Sequence, residues 1–292
     1  MLLGEKIKNA RKLKGLSQKE LCEGICSQGM LSQIERNKHI PNSIIFVEIF
    51  NKLGIALTEM EYQENETTLQ LKNELLEYLS QLFYQRKYEE INKIINSHFR
   101  KIDLHTTLDQ QLLLFYKGLY QGFVKNEFYQ AFELLEESLN ITYFQDKEHL
   151  SLEEYLILNN IGIMMLKLGM IDEGIGYFDL ILSTINKSRK IQNESKLTMV
   201  FFNIANSYSK IGEYEKSLSV ANAGIEWANK PQILTQFRLS YLYYEKAYNE
   251  EILGICSFKE SYKIAYHLAL NSKDDFLIRY INSKYNFFLL KY

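Results

Sequence analysis

Proline is nearly missing from this chain, with 2 in 292 residues. A sequence so poor in the residue that breaks helices can run long helices with few interruptions. Cysteine is as scarce. Cys22, Cys26 and Cys256 are an odd, sparse set that excludes a disulfide framework. Cys22 and Cys26 stand at i, i+4, and only His39 lies near them, which is too few ligands for a metal, so they read as small core thiols. The five histidines (39, 98, 105, 149 and 267) are scattered. No phosphate loop, nucleophile–base arrangement or metal spacing is present, so neither an enzyme nor a cofactor is expected. No apolar run approaches the ~20 residues of a membrane span. The start, MLLGEKIKNARKLKG, is too charged for a secretory signal, and a cytoplasmic location is expected. What is abundant is aromatic: 21 tyrosines and 17 phenylalanines, in a chain 46% hydrophobic and 24% charged. This composition fits a helical protein packed through rings, long enough for about two domains.

Charge is divided unevenly. Residues 1–60 hold nine Lys/Arg against six Asp/Glu, and the remainder holds 25 against 30. A basic head on an acidic body suits a head that meets phosphates.

Residues 17–41, SQKELCEGICSQGMLSQIERNKHIP, read as helix, tight turn, helix and exit loop. A first helix is expected over Leu3–Lys14, with Ile7, Ala10 and Leu13 inward and Gly15 as its C-terminal cap. Ser17 and Glu20 form a capping box that starts the second helix, which turns Leu21 and Ile25 to the core. Ser27 caps the third, with Leu31 and Ile34 inward. Ser43 or Asn42 caps the fourth, with Val47, Phe50 and Leu53 inward and Gly54 closing it, and Ile55 and Leu57 lead into a short final turn.

These residues resemble the Cro/lambda-repressor helix-turn-helix family over about 3–61, through LSQKEL, the S-x-x-x-S-Q-I-E-R-N-K stretch and the trailing proline. The resemblance implies that the third helix lies in a DNA major groove. Its expected base readers are Gln28, Met30, Ser32 and Gln33, with Ser27 beside them. Gln18, Asn37, Lys38 and Asn42 are expected on phosphates, and Arg11 and Glu35 as a scaffold salt bridge. Gly29 departs from the family's usual side chain.

Behind a polar stretch the chain repeats. Asn203 to Leu218 aligns with Asn160 to Ile175 at an offset of 43 residues, Phe128 and Ala131 match Tyr214 and Ser217, and weaker copies surround Gly254 and residues 84–91. Small residues (Gly162, Ala205, Ala247, Gly174, Ser217, Ser261) fall where paired helices would approach. Helical hairpins of this period cannot bury their faces alone and must stack. They resemble tetratricopeptide repeats, with longer second helices. The expected fold is all-α: a five-helix DNA-binding head at 1–62, a linker at 63–74, and a right-handed α-solenoid of about five helix pairs over 75–292.

The concave face of such a solenoid would carry Asn159, Asn160, Lys167, Phe202, Asn203, Asn206, Lys210, Tyr241, Tyr244, Glu245 and Tyr248. Amides there suit a peptide backbone and tyrosines add apolar area with a polar tip. The bland reading is that the asparagines only stitch repeats together. Head and repeats in one chain resemble the RRNPP group of Gram-positive regulators, nearest the phospholipase-regulator type. That resemblance implies a quorum-sensing regulator: a homodimer on palindromic double-stranded DNA, controlled by a short signalling peptide in the groove. A linker hinge near 58–70 is a further expectation, as is dimerisation through the heads, the solenoid or the apolar C-terminal helix (275–290). A mobile-element repressor bound by a protein antirepressor, or an interaction scaffold, are the alternatives.

Overall fold

In the computed structural model, residues 3–55, 66–98, 106–145, 147–185, 187, 191 and 194–285 are described, and among them every regular element is helical. The chain divides into two compact units near residue 85. The expected fifth helix of the head, residues 58–65 of the hinge and Phe287–Leu290 lie outside the described residues.

The first unit opens with α1 (Leu3–Leu13), α2 (Gln18–Cys22), α3 (Gln28–Glu35) and α4 (Ser43–Leu53). Local sequence dictates each boundary. Gly15 sits at φ +72 and ends α1, with Leu16 N–H bonding the Arg11 carbonyl at 3.0 Å. Ser17 and Glu20 make the reciprocal capping box of α2, Ser27 caps α3, and Asn42, not Ser43, caps α4. Gly54, at φ +65, closes α4. The core joins Ile7, Leu21, Cys22, Leu31, Ile34, Ile49, Phe50 and Leu53, with Ala10, Ile25 and Cys26 partly buried against it.

Two expectations of the head fail. Leu13 is 91% exposed, because the last turn of α1 projects past the core. Val47 is also exposed, and Ile49 takes the buried place. The inward stripe of α4 runs through Ile45, Ile49 and Leu53 with Phe46 and Phe50, one step round the helix from the i, i+3 spacing expected. α1 and α3 meet closely: a Cβ on Gly4 would stand 1.9 Å from the Ile34 carbonyl oxygen. Only glycine fits there.

The long helix α5 (Glu66–Tyr84) follows. The second unit holds α6 (Tyr88–His98), α7 (Thr107–Tyr120) with a π turn at Gln121–Lys125, α8 (Phe128–Asn140), α9 (Leu152–Lys167), α10 (Ile171–Ile185), α11 (Leu197–Lys210), α12 (Tyr214–Ala228), α13 (Leu239–Ile252), α14 (Phe258–Asn271) and α15 (Asp275–Tyr285). Arg86, Asn126, Gly169, Gly212 and Gly254 all adopt positive φ. The last four mark the turns of successive helix hairpins, so the sequence period is also the structural one. The first helices α7, α9, α11 and α13 lie against one another, each packed on its own second helix.

Small residues let the layers close. A Cβ on Gly162 would reach within 2.5 Å of the Phe178 ring, and one on Gly174 within 3.0 Å of the Gly162 carbonyl. Ser217 instead donates its hydroxyl to the Ala205 carbonyl at 2.7 Å.

Candidate nucleic-acid interface and ligand groove

The scaffold pair of the head is present. Arg11 Nε donates to Glu35 Oε1 at 2.6 Å and Nη2 to Oε2 at 3.0 Å, with both residues buried. Burial alone would raise the Glu35 carboxyl, but hydrogen bonds from Arg11 and Gln18 outweigh it and hold it below the usual carboxylate range. The bond to Glu35 raises the Arg11 guanidinium in turn. The pair ties α1 to α3 and so fixes the tilt of α3.

On α3 the polar arc is continuous. Gln28, Ser32 and Arg36 follow at i, i+4 and i+8, with Gly29 and Gln33 beside them. Gln28, Gly29, Gln33 and Arg36 are exposed and Ser32 is half-buried. Met30 does not belong to this arc. It is half-buried against the head core, because it lies four residues before the inward Ile34 and shares its face. Arg36, at the C-terminal cap of α3, was absent from the sequence-based set. The i+4 step from Ser32 would have found it.

Three residues expected on phosphates have structural duties. Gln18 Nε2 donates to Glu35 Oε2 at 2.8 Å. Asn37 takes the left-handed position after α3, at φ 57, and its Oδ1 accepts the Gly4 N–H at 2.7 Å. Asn42 Oδ1 accepts the Ile45 N–H at 2.9 Å. Each amide still has a second polar atom to offer. Ser27 is exposed but accepts the Met30 N–H at 3.2 Å, and Lys38 is exposed.

In the second unit, a groove of about 450 Å³ opens on the layer of first helices. α11 supplies Phe202, Asn206 and Lys210, α13 supplies Tyr241, Tyr244, Glu245 and Tyr248, α15 supplies Phe276 and Tyr280, and Arg86 completes the wall. Seven of the eleven residues expected on the concave face therefore meet here. The rings pack in two groups, with Tyr244 centred 5.5 Å from Tyr280 in one and Phe202 5.2 Å from Tyr241 in the other. Burial and a hydrogen bond to Asp274 push the Tyr241 phenol up to about 12, so it stays a neutral donor.

The other four fall differently. Asn159 and Asn160 are buried, because α9 is covered by neighbouring helices on more than one side. Asn160 donates to its own helix at the Leu156 carbonyl, 2.7 Å away. Asn159 accepts from Asn203 Nδ2 at 2.9 Å, and Asn203 Oδ1 in turn faces Arg86 Nη2 at 3.5 Å. For Asn159 the stitching reading describes what the side chain does, whereas Asn160 bonds within its own helix. Lys167 is exposed, with Nζ 5.9 Å from the Phe128 ring centre.

Charge in the groove is mostly positive. Burial and the nearby Lys167 and Arg86 depress the Lys210 ammonium, against the pull of Glu245. Arg86 was not among the residues selected from sequence. It occupies a turn position at which Gly169, Gly212 and Gly254 stand in later hairpins, and that mismatch was the available signal.

Comparison with known proteins agrees with this anatomy. Residues 7–60 match the helix-turn-helix family model. No curated protein matches the chain by sequence. Among solved structures, PlcR of Bacillus thuringiensis in complex with the peptide PapR7 and DNA is 24% identical, with TM-score 0.68 over 99% of both chains. ComR of S. thermophilus, in complex with DNA and its signalling peptide ComS, is 18% identical, with TM-score 0.59 over 97% of this chain and 98% of that one. The SHP pheromone receptor Rgg2 of Streptococcus dysgalactiae is 15% identical, with TM-score 0.54 over 98% of this chain and 99% of that one. The chain thus carries a helix-turn-helix domain at its head and, over nearly its whole length, has the fold of PlcR, ComR and Rgg2.

Proposed function

We propose that this protein is a DNA-binding transcription regulator whose repeat domain receives a short signalling peptide. One observation carries the reading: the same chain holds an outward polar arc on the third helix of a helix-turn-helix head and a groove of rings and amides on its repeats. In this reading Gln28, Ser32 and Gln33 face base edges, while Arg36 and Lys38 add positive charge for the backbone. Asn203, Asn206, Lys210, Tyr241, Tyr244 and Tyr248 hold the peptide. A homodimer presents two heads to the halves of a palindrome, about one helical turn apart or a multiple of it. The peptide controls DNA binding by preferring one arrangement of the heads, since a ligand without such a preference shifts nothing. PlcR and ComR, each solved with DNA and a peptide, support the reading through their shared fold.

The test is the melting temperature of the full-length protein with and without the small-peptide fraction of its host's spent medium. A ligand that binds only the folded form raises it. A reproducible, protease-sensitive rise is expected. No rise at saturating peptide would favour a repressor whose repeats bind a protein partner.

A further inference from the structure

Glu245 lies in the groove with an unused acceptor. It is 2% exposed. Its Oε1 accepts from Asn206 Nδ2 at 2.6 Å, while its shielded Oε2 has no hydrogen-bond partner. Buried carboxylate oxygens are rarely left without donors, because their desolvation is then uncompensated. A donor that arrives with a ligand would satisfy it.

The repeat register strengthens the case. Asn160, Asn203 and Glu245 each precede the left-handed glycine of their hairpin (Gly169, Gly212, Gly254) by the same interval. The first two are amides that donate within the protein, to the Leu156 carbonyl and to Asn159 Oδ1. In the last of these hairpins the amide is replaced by a carboxyl, which burial raises against the pull of Asn206 and Lys210 and which, when ionised, can only accept.

The surrounding charge decides what kind of donor fits. Lys210 and Arg86 line the same groove as Glu245. An incoming cation would be repelled by both, whereas an uncharged N–H meets no such penalty. The surrounding rings favour an extended chain with apolar side chains over a strongly hydrated group.

We propose that Glu245 is a specificity-determining residue of the groove: its Oε2 accepts a backbone N–H of a neutral or acidic peptide, and the groove discriminates against Lys or Arg at that point. This rests on the reading of the groove as a peptide site.

The experiment incubates the full-length protein with a pooled synthetic heptapeptide library and sequences the retained peptides by mass spectrometry. Retained peptides should be depleted in Lys and Arg at one position at least. In the tightest of them, N-methylation of one backbone amide should weaken binding about tenfold or more, the range for a bond to a charged acceptor. Glu245→Met should reduce that penalty below about threefold. Glu245→Gln keeps a carbonyl acceptor and should retain it, and circular dichroism checks that both variants fold. Enrichment of Lys or Arg, or a methylation scan of the unaltered protein in which no amide is sensitive, overturns the proposal even if Glu245→Met does not fold. An equal methylation penalty in folded Glu245→Met overturns it too. Retention of no peptide at all overturns the peptide-site reading itself, and this proposal with it.

Discussion

Arg11 and Glu35 set the energetic stakes of the head. Both are buried and joined by two short bonds. Removing one partner leaves a buried charge uncompensated, so Arg11→Ala should cost about 3–5 kcal/mol in urea unfolding followed by a probe on the head. The paired replacement Arg11→Met with Glu35→Leu should recover most of that loss, and a double variant as unstable as the single one would refute the assignment. The same pair makes the head acid-sensitive. The folded Glu35 carboxyl is depressed below its unfolded value, so its stabilisation is complete above the unfolded value of about 4.3. It is lost as pH falls through the lower folded value. Melting temperature against pH should therefore drop more steeply below about pH 4.3 in the natural protein than in the Met/Leu double variant.

At the scale of elements, two glycines of neighbouring helices should respond with opposite sign. Gly162 in α9 faces the Phe178 ring, and an added Cβ would lie 2.5 Å from it. Gly162→Ala should therefore destabilise by about 1–3 kcal/mol through overpacking. Gly176 in α10 has open space at its Cβ position and is exposed. Gly176→Ala should stabilise by about 0.5–1 kcal/mol from helix propensity alone. Thermal melts of the two variants that shift the same way would show that the hairpin contact does not govern Gly162. The sequence made the hairpins legible because their turns repeat, and Gly169 and Gly212 needed only their left-handed conformation to be recognised. It did not reveal which stripe of α4 faces inward, since Val47 and Ile49 are equally apolar and only packing separates them.

For the molecule as a whole, the DNA-binding reading divides labour between base and backbone. Gln33→Ala should lower affinity for the preferred site by about 1–3 kcal/mol and relax its sequence preference. Lys38→Ala should weaken binding to all sequences and flatten the salt dependence by about one unit. Titrations at several salt concentrations check this, and identical salt slopes for the two variants would remove the distinction.

The sequence by itself determined the helical class, the head with its capping residues and the repeat period, which are encoded by neighbours a few residues apart or by recurrence along the chain. The Arg11–Glu35 pair, 24 residues apart, was expected only through the family resemblance. Tertiary structure decided which side chains share a surface. It buried Asn159 and Asn160 and drew Met30 into the head core. It also brought Arg86 and Glu245, far apart in the chain, to one groove wall. Burial and encounter depend on how helices stack, and no local pattern of residues carries that information.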